Sequence, residues 1–256
     1  LEKYIDLDTY EGRRVINTTG GPYEFREGEL EYTLAQYAGE VTLCDKYVGV
    51  LMDKVKELGV WDDTVIALVS DHGHNIMDHG ILHKLPDQMY PELMDLVYMV
   101  KSPGGALGGT TCDAYVAHHD IPVTLMEMAG VAPPEGVDGR NVWKWATGEA
   151  PPARTYATCI FYPWLWTQDG DHAYMTDIDG TEERLYDIRR DPKQHEDISE
   201  GNPGLCKTLR ERIWNEAGGD IPRYEIVREG HDWYEYPDIH DPTTALGEVL
   251  RKRYLK

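Results

Sequence analysis

Between Ser70 and Lys84 the chain packs two Asp, four His and one Lys into a single short stretch, Ser70-Asp71-His72-Gly73-His74-Asn75-Ile76-Met77-Asp78-His79-Gly80-Ile81-Leu82-His83-Lys84. At Asp71 and His72 a carboxylate oxygen and an imidazole nitrogen stand side by side, a reasonable pair of ligands for a divalent ion. Two donors do not complete a metal site, so the remaining ligands must come from elsewhere. The stretch ends on a lysine, Lys84. A solvated polar loop would not need this density of histidine. His79 and His83 are candidates to line the pocket, with a structural role as the plainer alternative for each.

The position of the cluster in the chain matters as much as its content. It follows Thr64-Val65-Ile66-Ala67-Leu68-Val69, a continuous β-branched and aliphatic run. Such a run predicts a strand buried on both faces, as in a parallel sheet with helices on either side. Ligands in open α/β sheets sit past the carboxyl ends of strands, which is where Asp71 falls. Upstream, Leu30, Leu34, Tyr37, Val41, Cys44, Val48, Leu51, Val55 and Leu58 alternate spacings of four and three and end at Gly59. That is one long helix with an apolar stripe, expected to face the core. A second strand is expected over Leu93–Val100. A helix should follow, with Asp120 as N-cap, Pro122 in the first turn and Gly130 as its stop.

Thr147-Gly148-Glu149-Ala150-Pro151-Pro152 reads as a linker. Past it, Arg154–Trp166, His172–Ile178 and Glu183–Ile188 are strand candidates joined by Asp169-Gly170 and Asp179-Gly180 turns, the pattern of an antiparallel meander. A helix over about Pro203–Ala217 closes this part. The acidic, aromatic tail from Ile221 is expected to wrap the surface or reach a neighbouring subunit, so a homo-oligomer is allowed. The order of elements gives an α/β fold, with residues 1–148 as a first unit and 149–256 as a small α+β subdomain with an antiparallel sheet.

Composition restricts the partners. The chain of 256 residues carries 46 acidic against 25 basic residues, a formal net charge of -21. That field repels nucleic acid and acidic membranes, so neither is expected as a partner. Attraction of an anionic substrate would have to come from a local metal ion, Lys or Arg. No apolar run reaches the ~20 residues of a membrane helix. The first residues show no signal peptide, and the lack of an initiator Met suggests an excerpt of a longer protein. Cys44, Cys112, Cys159 and Cys206 form no metal-binding pair. They read as core thiols, which slightly favours a cytoplasmic, reducing setting, although two disulfides would also use all four.

Several segments, in order, resemble the sulfatases and the related phosphonate monoester hydrolases of the alkaline phosphatase superfamily. Ser70-Asp71-His72-Gly73, then Asp78-His79-Gly80, then Lys84 resemble the family's S-D-H-G or S-D-N-G strand end, its G-D-H-G-like element and its lysine. Tyr37 to Gly49 resembles the helix Y-x-A-x-V-x-x-x-D-x-x-V-G, with Ala38 one place early. Leu58-Gly59-Val60-Trp61-Asp62-Asp63-Thr64 resembles the entry to the strand. His119 to Gly130 resembles D-I-x-P-T-L-L-x-L-A-G, and Leu185 to Pro192 resembles L-Y-D-L-x-x-D-P. The likeness runs over roughly residues 30–217.

The resemblance implies the C-terminal portion of such a hydrolase, with part of an alkaline-phosphatase-like sheet flanked by helices. It implies that Asp71 and His72 are two ligands of the catalytic divalent metal, with Mn²⁺ slightly favoured over Ca²⁺ by the histidine. It makes Lys84 the group that contacts the sulfate or phosphate oxygens, beside His79. The family's nucleophile lies upstream in C/S-x-P/A-x-R, where Cys becomes formylglycine, and no such motif occurs here; Cys206-Lys207-Thr208-Leu209-Arg210 has the spacing but the wrong place and composition. Two early Asp ligands are missing as well. The implied activity is hydrolysis of a small-molecule sulfate ester, with the upstream part of the same protein supplying the nucleophile. A phosphate or phosphonate ester is the alternative, and a non-catalytic domain that kept the fold is the reading from another class.

Overall fold

A computed structural model describes residues 25–150 and 154–221. The tail beyond Ile221, for which a surface-wrapping role was expected, lies outside the described residues. The chain is α/β, with helices, short sheets and a small antiparallel-sheet subdomain.

Helix α1 spans Glu29–Glu57, as the apolar spacing predicts. Glu29 and Glu31 in its first turn and Lys54 and Lys56 in its last suit the helix dipole, and Gly59 in the left-handed region ends it. The expectation that its stripe faces a core is corrected. Val41 is 53% exposed, Leu51 66% and Leu58 63%. Periodicity shows that one face seeks apolar cover, but it does not show that this part of the chain provides it. Among the described residues, α1 approaches the rest near its N-terminal end, where the Tyr37 ring stands 6.1 Å from that of His74.

Strand β1 (Ile66–Val69) is half-buried along its whole length. It pairs antiparallel with β4 (Tyr98–Lys101), with Ile66 opposite Lys101 and Val69 opposite Tyr98. The expected parallel, doubly buried setting is therefore not found among the described residues, where β1 and β4 form a two-stranded sheet. A β-branched run calls for a strand with two apolar faces; it carries no information on the direction of its neighbour. The second strand also starts later than expected. Pro91 begins a short helix α2 (Pro91–Met94), with Leu93 turned into the core.

Between these strands, β2 (Asn75–Ile76) and β3 (Leu82–His83) form a small hairpin. Helix α3 (Asp120–Met128) includes Asp120 in its first turn. Asp120 still serves the helix start, accepting the Ala117 N–H at 2.8 Å. A short helix α4 covers Trp143–Ala146.

The meander is present with one strand more than the sequence suggests. β5 (Tyr156–Phe161), β6 (Trp164–Asp169), β7 (His172–Asp177) and β8 (Glu183–Asp187) run antiparallel in that order. The aromatic stretch 154–166 folds into two strands because Pro163, with fixed φ and no N–H, takes the turn. Helix α5 (Pro203–Glu216) covers one face of the sheet, where Leu165, Tyr174 and Leu185 meet Cys206, Leu209 and Ile213. Alternate residues Trp164, Trp166, Met175 and Tyr186 point to the other face and enclose Met89, Tyr90 and Leu93. This is the period of two of a strand with both faces covered. Each large side chain so buried contributes roughly 1.5–3 kcal/mol. Arg184 Nη1 adds a bond to the Asp87 carbonyl at 2.5 Å. The meander thus carries the segment on which the candidate site rests.

The four cysteines are unpaired, with Cys206 buried, Cys159 half-buried and Cys44 and Cys112 exposed. The reading of all four as core thiols holds for Cys206 and fails for the two exposed ones. No helix among the described residues is long and apolar enough to cross a membrane.

Candidate metal and oxyanion site

The loop after β1 is fixed from three sides. The Ser70 N–H donates to the Val97 carbonyl, and the Ser70 hydroxyl to the His72 carbonyl at 2.8 Å. The Gly73 and His74 N–H groups donate to the Leu93 and Glu92 carbonyls of α2 at 3.0 and 2.8 Å. His118, at the start of the α3 region, reaches the Ser70 carbonyl through Nε2 at 2.9 Å. Asp71 and His72 are therefore presented by a backbone with few ways to move.

The hairpin then returns the chain. Met77 and Gly80 both take positive φ in its turn, and buried Asn75 ties it to the Gln88 carbonyl at 3.1 Å. Lys84 follows directly on β3, and its ammonium donates to His72 Nε2 at 2.7 Å although the two residues are twelve apart in sequence. His72 Nε2 lies 3.3 Å from Asp71 Oδ2. The structure thus brings Asp71, His72 and Lys84 together, and the two contacts laid end to end keep the ammonium within about 6 Å of the carboxylate, close enough to act on one anion. Asp71 is 86% exposed. Its carboxyl is held below the usual carboxylate range, chiefly because Oδ1 accepts the His72 N–H at 2.9 Å.

As a donor set for a divalent metal, one carboxylate oxygen and one imidazole nitrogen fit. His72 Nδ1 faces the Gly73 carbonyl at 2.8 Å, which assigns the proton to Nδ1 and leaves the Nε2 lone pair beside Asp71. Two donors 3.3 Å apart are compatible with one ion about 2.2 Å from each.

His79 is placed differently. Its side chain is 8% exposed, stacked on Tyr90 with ring centroids 3.6 Å apart and tilted toward His195 at 4.8 Å. Its Nε2 is 3.6 Å from Glu92 Oε2, and both atoms are buried without a hydrogen-bond partner. Burial pushes its imidazole below the ordinary range, against the pull of Glu92. These contacts place it between the hairpin and α2. His83 lies opposite Asn75 in the hairpin.

Sequence reasoning missed Glu92, whose carbonyl and carboxylate both face the loop, and the contact of His118 with Ser70. Pro91, a helix-start signal, was the available hint for the first. A second group of ligand-type residues, Asp169, Asp171 and His172, gathers in the β6–β7 turn. Their charges are already committed. Asp169 pairs with Arg212 at 2.8 Å and accepts the N–H groups of Asp171 and His172, and Asp171 pairs with Arg189. This is a braced turn.

With this geometry in hand, comparison with known proteins identifies the relatives. Residues 9–131 match the family model Sulfatase. The multifunctional alkaline phosphatase superfamily protein PehA of Trinickia caryophylli is 31% identical over 143 residues, which is 56% of this chain and 27% of that protein. The N-acetylglucosamine-6-O-sulfatase of Bacteroides thetaiotaomicron is 24% identical over 249 residues, 87% of this chain and 42% of that protein. The fold superposes on phosphonate monoester hydrolase of Agrobacterium radiobacter with a TM-score of 0.67 at 20% identity, covering 77% of this chain and 44% of that one. The chain spans less than half the length of these three relatives.

Proposed function

From the match of residues 9–131 to the Sulfatase family model, we propose that the whole protein hydrolyses sulfate esters and that this chain supplies Asp71 and His72 as metal ligands and Lys84 as the oxyanion contact. The observation that carries the reading is the convergence of these three side chains at the end of β1. A divalent metal bound there would act as a Lewis acid on the ester. Asp71 would hold it through a carboxylate oxygen and His72 through Nε2, with the Gly73 carbonyl keeping the ring in the required tautomer. Lys84 would neutralise charge on the non-bridging oxygens, and His79 and Glu92 would hold the loop on α2.

The nucleophile and the remaining ligands are assigned to an upstream part of the same protein. The open apolar stripe of α1 and the half-buried β1 support this, since both offer surface suited to further chain. The two units are taken to divide at residues 148 and 149.

A phosphate or phosphonate ester is the second reading. It is supported by the match to PehA, named as a multifunctional alkaline phosphatase superfamily protein and 31% identical over 143 residues, and the fold shared with the phosphonate monoester hydrolase is compatible with it. The test is to assay the full-length protein, with Mn²⁺ or Ca²⁺, on matched aryl sulfate, aryl phosphate and aryl phosphonate. The highest kcat/KM is expected on the sulfate. A preference for either phosphorus ester selects the second reading, and no turnover of any of the three sinks both.

A further inference from the structure

The His72 ring has one lone pair to give, and Lys84 holds it. Nδ1 faces a carbonyl oxygen, which can only accept, so Nδ1 carries the ring proton. Nε2 is then the acceptor of the Lys84 ammonium at 2.7 Å. The same nitrogen is the imidazole atom that stands 3.3 Å from Asp71 Oδ2 and would complete the ligand pair.

We propose that a divalent cation and the Lys84 ammonium compete for His72 Nε2, so that cation binding at Asp71 and His72 releases Lys84 to hold an anion. The proposal rests on the reading of this site as a metal and oxyanion centre and adds an order of events to it: Lys84 is committed within the protein until His72 is taken. A lone pair cannot accept an N–H and coordinate an ion at once. Two positive charges at this range also repel. By reciprocity, whatever Lys84 gains from Nε2 is lost from cation affinity. An oxyanion that accepts from the released ammonium reverses the sign, because it compensates both charges. Lys84 is exposed, and its flexible four-carbon stem lets the ammonium swing while the backbone stays on β3.

The experiment titrates Mn²⁺ alone into the full-length protein and into its Lys84→Met variant, which keeps the unbranched stem and removes the charge. Calorimetry is expected to show roughly 5- to 100-fold tighter Mn²⁺ binding by Lys84→Met. Inorganic sulfate should tighten Mn²⁺ binding to the wild type and leave that of Lys84→Met unchanged. Adding His72→Ala should abolish the gain in the Lys84→Met background. Equal or weaker Mn²⁺ binding by Lys84→Met, or no binding by either protein, overturns the competition, as does a gain that survives His72→Ala. Thermal melts establish that the variants are folded. Because the readout is cation affinity, competition can stand while the full-length protein hydrolyses no ester, and ester hydrolysis can stand while Mn²⁺ affinity ignores Lys84; the two failures are separate.

Discussion

The carbonyl oxygen of Glu92 lies so close to Gly73 that a Cβ added to Gly73 would stand 2.0 Å from it. The obstacle is backbone at the start of α2, which cannot swing aside as a side chain would. Gly73→Ala should therefore push the loop off α2, cost about 1–3 kcal/mol, and weaken divalent binding at Asp71 and His72. Gly80→Ala is the control. Gly80 has positive φ but open space around it, so it should cost about 1–2 kcal/mol from backbone strain alone and leave metal affinity near wild type. Melts and calorimetry on both variants separate the two. Unchanged affinity in Gly73→Ala would show that the loop tolerates displacement.

Lys84 is exposed and makes its hydrogen bond to His72 at the surface, so Lys84→Ala should leave the melting temperature unchanged. In the full-length protein it should lower kcat on aryl sulfate and aryl phosphate alike by roughly 100-fold, the scale of losing one oxyanion contact. Steady-state kinetics beside a thermal melt decides this. An unchanged kcat/KM would make Lys84 an ordinary surface residue.

His79 should make stability depend on pH in one direction. Burial lowers its pKa below the ordinary 6.5, opposed by Glu92 and aided by His195. Above pH 6.5 both folded and unfolded chains hold it neutral. As pH falls below that value the unfolded chain takes up the proton first, and stability is lost until the folded ring also titrates. His79→Phe keeps the stack on Tyr90 and removes the titration, so its stability should fall less steeply as pH drops below 6.5. Urea midpoints across this window test the slope; parallel curves would show that His79 is not the group responsible.

Asp120 is fully buried and takes the Ala117 and Arg140 N–H groups at 2.8 Å each and Arg154 Nη1 at 2.6 Å. Arg154 also donates to His119. Arg154→Met leaves a buried carboxylate without its cation and should cost about 3–5 kcal/mol. Asp120→Asn keeps one acceptor and should cost less. Little loss in Arg154→Met beside a large loss in Asp120→Asn, measured by urea unfolding, would place the energy in the backbone contacts.

The α1 stripe makes opposite predictions for part and whole. Val41→Lys and Leu51→Lys, both at exposed positions, should change the stability of this chain by less than about 0.5 kcal/mol. In the full-length protein the same changes should lower soluble yield and melting temperature, because the charges would enter an interface. No effect on the full-length protein would show that nothing covers the stripe.

The candidate site was legible where the information is local. The density of Asp and His after a strand singled out Asp71 and His72, the family resemblance added Lys84, and Asp-Gly turns marked the strand ends of the meander. Burial and sheet direction were less legible, since both depend on chain distant in sequence. Leu51 looks like a core residue from its spacing and is open to solvent; Ile66 looks like a central parallel strand and pairs antiparallel with Lys101. Glu92 was hard to single out because its contribution to the loop begins with a carbonyl, which every residue has, and Pro91 signals only the helix start beside it.

The bearing of the meander on the segment from Met89 to Leu93 sets the smallest unit that could be moved to another scaffold. Grafting residues 70–84 alone would transfer the candidate ligands and leave behind the shelf that aims them. A working transplant would need 70–94 together with a sheet face able to replace Trp164, Trp166, Met175 and Tyr186. The same dependence means that drift in this remote face would register as lost chemistry, so sequence divergence there should be paced by the loop it supports.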